Sequence, residues 1–159
     1  MLEHDVLVIG AGLAGLRAAI EASRRNLNVA IISKAHPVRS HSNAAQGGIN
    51  AAVGENDSWE AHALDTVKGS DYLGDQDAIE ITCSEAREDI IELEHMGVIF
   101  NRDERGALGT RPFGGATYAR TCYVADITGQ AILHVMYEQL LKVRLPAYDE
   151  FFVTSLIMD

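Results

Sequence analysis

Six residues constrain this chain more than any others. Gly10-Ala11-Gly12-Leu13-Ala14-Gly15 is a GxGxxG string set between a short aliphatic run, Asp5-Val6-Leu7-Val8-Ile9, and a stretch of helical period from Leu13 to Arg25. In that setting each glycine has a mechanical reason. The first permits a tight turn, the second lets backbone approach a pyrophosphate, and the third lets helix pack closely on strand. The phosphates of a dinucleotide would then meet the exposed N–H groups and the positive end of the helix. Val29-Ala30-Ile31-Ile32 follows as a second strand, so residues 5–33 read as a βαβ unit with both strands buried. The fold class is α/β, with the parallel sheet of a Rossmann-like dinucleotide-binding domain.

The acid expected at the end of the second strand, where it would take a ribose hydroxyl, is missing. Ser33-Lys34 stands there instead. Lys34 suits a 2′-phosphate and hence NADP, while Ser33 suits a ribose hydrogen bond in a flavin site. The fingerprint does not choose between them.

Residues 33–55 show no lasting period and contain Pro37, Gly47, Gly48 and Gly54, so they form a long irregular loop of a length that usually carries function. A helical region follows over 57–97. Ser58 to Lys68 is one helix, capped by Asp57 or Ser58, and Asp75 to His95 is one or two more, with Ile79, Cys83, Ala86, Ile90 and Leu93 inward and Gly97 as the stop. Val98 to Asn101 reads as a short strand and 103–109 as a turn. A second glycine loop and a helix occupy 109–143, the helix starting at Asp126 or Thr128 and presenting Ile132, Leu133, Met136 and Leu140 on one face. Residues 150–158 read as a terminal strand.

Charge narrows the function classes. Thirteen Lys and Arg against 23 Asp and Glu leave a net −10, the wrong sign for a nucleic-acid partner. The average conceals two surfaces. Residues 10–49 hold five bases and one acid, a local +4 around the dinucleotide fingerprint, whereas 75–104 hold ten acids and two bases and read as a solvated helical face. Cys83 and Cys122 have neither metal-ligand nor disulfide-framework spacing, so no metal is expected and the thiols are expected to be reduced. No secretory leader is evident, and the longest uncharged apolar run, Val6 to Leu16, is 11 residues, against roughly 20 for a membrane span.

Within the long loop, Arg39-Ser40-His41-Ser42-Asn43-Ala44-Ala45-Gln46-Gly47-Gly48-Ile49 makes the sequence resemble the flavoprotein subunits of succinate dehydrogenases and fumarate reductases. That family closes its second strand with a Ser-Lys pair and follows it with an Arg-Ser-His-Thr-x-Ala-Gln-Gly-Gly type loop. The likeness extends through Arg111-Pro112-Phe113-Gly114-Gly115, Arg120-Thr121, Ala125-Asp126, Thr128-Gly129 and Phe152-Val153, and covers essentially all of the chain. Ser42-Asn43 departs mildly from the usual Thr and small residue.

The resemblance implies FAD, joined covalently through His41 to the 8α carbon. It places Gly10 to Gly15, Ser33, Lys34, Ser40 to Gly48 and Val153 on the cofactor, Val153 through backbone bonds to adenine. It sets Gly48 and Phe113 against a four-carbon dicarboxylate. Read without the resemblance, Gly47-Gly48 is equally a simple turn, His41 an ordinary loop histidine and Phe113 a core aromatic. His62, His95 and His134 read as structural or exposed.

The implied reaction is hydride transfer between succinate and flavin, or the reverse with fumarate, with electrons passing to an iron–sulfur subunit and on to membrane quinone-binding subunits. The implied location is cytoplasmic, peripheral on the inner face of the cell membrane. The family's catalytic arginine, carboxylate-clamping residues and capping domain lie beyond the matched region. Residues 1–159 therefore read as the N-terminal part of an FAD-binding domain, inactive alone. L-Aspartate oxidase shares the Gln-Gly-Gly loop without the linking histidine, so His41 argues against it, and adenylylsulfate reductase is a more distant relative. An NADP-binding Rossmann domain, and a docking module using the acidic face, are the readings from other classes.

Overall fold

A computed structural model describes residues 2–158. In chain order the elements are β1 (Val6–Ile9), α1 (Leu13–Arg24), β2 (Val29–Ile32), β3 (Ile49–Asn50), α2 (Trp59–Gly69), α3 (Gln76–Met96), β4 (Thr110–Arg111), β5 (Thr121–Cys122), α4 (Thr128–Lys142) and β6 (Ala147–Tyr148), with two short 3₁₀ turns at Pro37–Arg39 and His41–Ala44. They form two compact units, residues 1–45 with 129–159, and residues 46–128.

The first unit is built on the expected βαβ crossover. β1 and β2 pair in parallel from Val6↔Val29 to Ile9↔Ile32, and β6 joins the other side of β2 through Ile31↔Ala147 and Ile32↔Tyr148, giving the order β1-β2-β6. Helix α1 buries Leu16, Ala19 and Ile20, while Arg17, Arg24 and Arg25 gather around Glu21 on its outer face. In α4, Ile132, Leu133, Met136 and Leu140 are buried as their spacing predicts.

Two expectations are corrected here. The strand β2 is buried, but β1 alternates, with Leu7 and Ile9 about half exposed. The alternation is that of a strand covered on one face, with Val6 and Val8 on the more buried side and Leu7 and Ile9 on the other. The strand expected at 150–158 is also absent. Pairing occurs at Ala147–Tyr148, and the next residues turn across the end of β2, with the Phe151 N–H donating to the Ser33 carbonyl at 3.0 Å. The apolar run from Phe151 has the composition of a strand, but 151–158 have no ladder partner.

In the second unit, β5 is the centre of a small antiparallel sheet, flanked by β3 and β4. Helices α2 and α3 pack against each other. The helical region 57–97 thus holds two helices. Ser58 caps α2 by accepting from the Ala61 N–H at 3.2 Å, and Asp75 caps α3 from the Ala78 N–H at 3.1 Å. Gly97 ends α3 at φ 122°, a left-handed conformation that suits glycine. Val98 to Asn101 forms no strand, although Val98 and Phe100 are buried. Its hydrogen bonds close loops instead, the Asn101 N–H going to the Tyr123 carbonyl and the Asn101 carbonyl receiving Gly109.

Candidate functional site

The first unit carries a cleft of about 540 Å³ at the C-terminal ends of β1 and β2, where ligands bind in open α/β sheets. Gly10, Ala11 and Gly12 line it, as do Ser33, Lys34, Ser40, His41 and Val153. Arg39, Phe151 and Phe152, which motif reading did not single out as site residues, also face it. Apolar side chains make up much of the wall and two cations, Lys34 and Arg39, also line it, a composition suited to a flat ring bearing a charged tail.

The glycine turn shows why the string reads as it does. Gly10 adopts φ 108°, and a Cβ on Gly15 would lie 1.9 Å from the Gly10 carbonyl oxygen, inside any van der Waals radius. Helix and turn can therefore approach only through glycine. Gly12 is the N-cap of α1 in extended backbone, with no side-chain cap hydrogen bond and no acid in the first turn. The nearest side-chain acceptor is the Ser42 hydroxyl, 3.4 Å from the Leu13 N–H, a long contact. With Leu13, Ala14 and Gly15 in this turn, the positive helix end faces the cleft poorly satisfied. It fits a pyrophosphate.

The loop after β2 is held in place rather than loose. Ser40 and Ser42 are half-buried, His41, Asn43 and Ala44 are exposed, and the Ala45 carbonyl accepts from the Gly129 N–H at 2.7 Å, tying the loop to the start of α4. His41 keeps an accessible imidazole in the same cleft as the glycine turn.

Gln46, Gly47, Gly48 and Phe113 belong to the second unit. Gly48 adopts φ 109°, and a Cβ there would lie 2.5 Å from the Cys122 carbonyl oxygen, so the residue is required by close approach and by backbone conformation together. The segment runs directly into β3. Phe113 is 53% exposed and its ring edge lies over Gly47, which removes the core-aromatic reading.

Sequence reasoning missed a buried ionic cluster in this unit. Arg120 is 1% exposed and donates through Nε and Nη2 to the two Asp57 oxygens, each at 2.9 Å. Its Nη1 lies 3.1 Å from Asp65 Oδ2, near enough for charge pairing but poorly aligned for a hydrogen bond. Asp65 also accepts from the Thr117 N–H and hydroxyl at 2.6 and 2.7 Å. Burial pushes the Asp65 pKa up, but these bonds and the Arg120 charge outweigh it and hold the carboxyl below its ordinary value. His62, buried beside them, is held below its ordinary value by desolvation first and by Arg120 second. Asp57 was a candidate cap for α2; Ser58 takes that role and Asp57 serves Arg120. Spacings of this kind, 57, 65 and 120, have no periodic signal. The described residues offer no cluster of metal-ligating side chains.

The family profile described as FAD binding domain matches residues 5–159. The chain belongs to the FAD-binding domain family. Among curated relatives, this FAD-binding domain is 53% identical over 167 residues to the succinate dehydrogenase flavoprotein subunit of Rickettsia bellii, covering 99% of this chain and 28% of that protein. It is 46% identical to the fumarate reductase flavoprotein subunit of Mycobacterium tuberculosis, covering 99% of this chain and 27% of that protein. Among solved structures it superposes on Mycobacterium smegmatis Sdh1 in complex with UQ1 at TM-score 0.94 and 37% identity, covering 98% of this chain and 29% of that one. The FAD-binding domain thus spans under a third of the length of the relatives it matches. Both succinate dehydrogenases and fumarate reductases are among them, in accord with the family resemblance of the His41 loop.

Proposed function

We propose that this chain is the FAD-holding part of a succinate dehydrogenase or fumarate reductase flavoprotein, and that His41 carries the flavin covalently. The observation that carries this reading is the meeting of three features in one cleft: the poorly satisfied first turn of α1, the Ser33-Lys34 pair at the end of β2, and the exposed imidazole of His41. The N–H groups of the Gly12–Gly15 turn hold the pyrophosphate, Ser33 takes a ribose hydroxyl, and Lys34 and Arg39 balance phosphate charge. Residues 151–153 cover the adenine end, with Val153 offering backbone bonds. Gly47, Gly48 and Phe113 serve the dicarboxylate.

Bound FAD would supply hydride chemistry, accepting from succinate or donating to fumarate. The chain's own contribution is to bind, orient and exclude water. His41, exposed in the cleft, offers a ring nitrogen for attachment. In the full-length protein the electrons would pass to an iron–sulfur subunit and to quinone-binding subunits in the membrane, which would place this subunit peripheral on the inner face. No helix among the described residues is long and apolar enough to cross a membrane.

The test is a denaturing gel of the full-length protein expressed with FAD, viewed for flavin fluorescence. Fluorescence travelling with the polypeptide, and lost in His41→Ala, is the expected result. Flavin that leaves the wild-type polypeptide on denaturation refutes the covalent assignment and leaves a non-covalent flavoprotein.

A further inference from the structure

Arg111 stands out in the second unit as an arginine held by carbonyl oxygens rather than by carboxylates. It projects from β4 and is half-buried. Its Nη2 donates to the Gly47 carbonyl at 2.6 Å and to the Gln46 carbonyl at 2.7 Å, and its Nε reaches the same Gly47 oxygen at 3.1 Å. Nη1 makes a longer contact, 3.4 Å, to the Ala125 carbonyl, and the guanidinium lies 4.4 Å from the centre of the Tyr123 ring. No carboxylate among the described residues pairs with it. The contrast with Arg120, which has two, is complete.

The consequence follows from peptide geometry. There is no cis bond among the described residues, and in a trans peptide the carbonyl and the next N–H point in opposite directions. Drawing the Gln46 and Gly47 carbonyls onto one guanidinium therefore turns the Gly47 and Gly48 N–H groups away from it. Neither has a hydrogen-bond partner among the described residues. Gly48 in the left-handed region, pressed against Cys122, keeps the second peptide in that orientation. The result is a pair of adjacent donors, backed by a cation whose charge nothing cancels.

We propose that Arg111 is a positioning residue: by clamping the Gln46 and Gly47 carbonyls it presents the Gly47 and Gly48 N–H groups as an oxyanion-binding pair. Their ligand is an oxygen carrying negative charge. It comes either from a carboxylate of the dicarboxylate substrate or from a flavin carbonyl that gains charge on reduction. This rests on the flavoprotein reading above. A planar fork meets two carbonyl oxygens at once, which a lysine ammonium on a single flexible stem does not reproduce.

The experiment uses the full-length, FAD-loaded protein with Arg111→Lys and Arg111→Gln, each checked for its thermal melt. Malonate is titrated and followed by the flavin difference spectrum, and the flavin midpoint potential is measured without malonate. Both variants are expected to show about tenfold weaker malonate binding, or a midpoint potential lowered by the equivalent of tenfold, about 30 mV for a two-electron couple. Weaker malonate binding at unchanged potential assigns the donors to the substrate carboxylate; a lowered potential with unchanged malonate affinity assigns them to the flavin. An Arg111→Lys protein that matches wild type in both overturns the proposal, because charge alone then suffices. Failure of both variants to fold also overturns it, making the residue part of the fold. A wild-type protein that takes up no flavin refutes the flavoprotein reading itself, and is recognised before any variant is made.

Discussion

Replacing Gly12 and Gly15 by alanine, one at a time, separates two glycines that look equivalent in the motif. At Gly15 the new Cβ would lie 1.9 Å from the Gly10 carbonyl oxygen and 3.0 Å from its carbon. Ordinary contact needs roughly 3.4 Å or more, so α1 must move off β1 by more than an ångström. Overpacking costs about 1–3 kcal/mol where side chains can shift. Here backbone meets backbone, so the upper end applies. At about 2–4 °C per kcal/mol for a chain of this size, the melt should fall by roughly 6–12 °C.

At Gly12 the nearest atom to the new Cβ is the Ser42 hydroxyl oxygen at 3.6 Å, and the backbone is already in a region open to alanine. Stability should change by no more than about 0.5 kcal/mol. The methyl nonetheless enters the space over the first turn of α1, where the pyrophosphate must approach, and FAD affinity should fall at least about tenfold, or about 1.4 kcal/mol. Thermal melts by circular dichroism, and FAD titration by fluorescence quenching in a His41→Ala background where no covalent link forms, read the two effects separately. Retention of wild-type FAD affinity by Gly12→Ala would refute the phosphate cradle, and a wild-type melt for Gly15→Ala would refute the close helix–strand contact.

Three other perturbations address the second unit. Arg120→Gln leaves two buried carboxylates facing each other, and should cost about 3–5 kcal/mol, read as a lowered urea midpoint; an unchanged midpoint would mean the cluster is solvated. His62 is held below its ordinary value of 6.5, so its stabilising contribution is present above that pH and is lost as pH falls below it through the depressed folded value. Urea midpoints between pH 7.5 and 5 should therefore fall less steeply for His62→Gln than for wild type, and parallel profiles would contradict this. Burial, with Glu94 adding a smaller effect, pushes the Cys122 thiol up to about 11. At pH 8 its thiolate fraction is on the order of one in a thousand, so peptide mapping after iodoacetamide treatment should find Cys122 unmodified in the folded protein and modified in urea.

The parts legible in the sequence are those whose cause is local. The βαβ unit announces itself because an aliphatic run, a glycine turn and a helical period lie within 30 residues, and Ser58, Asp75 and Gly97 mark helix ends through their own backbone chemistry. The family likeness was legible through the string of residue types in the 39–49 loop. What failed needed a distant partner. Residues 150–158 carry a strand's composition, but the ladder beside β2 is filled by Ala147–Tyr148. The strand β1 has a buried strand's composition, yet half of it faces out because nothing in an aliphatic run tells how many of its faces will be covered. Arg120 and Arg111 were both visible as motif letters, and neither letter says whether its partners are carboxylates or carbonyls.

That last distinction bears on how the second unit could serve an anionic ligand. Asp57 and Asp65 together outweigh the single charge of Arg120, so the cluster presents no positive field and works as an internal tie between residues 57, 65 and 117–120. Arg111 is bonded to neutral carbonyls and stacked on a ring, so no carboxylate among the described residues balances its charge. In a protein of net charge −10, a half-buried guanidinium without a carboxylate is costly to keep unless a ligand supplies the missing charge. A dicarboxylate or a reduced flavin would do so and, on the proposal above, would act through the two glycine N–H groups that the same guanidinium turns outward. The conformation of the Gly47–Gly48 segment and the sign of the local field thus have one source, and a lysine at position 111 would keep the sign while releasing the conformation.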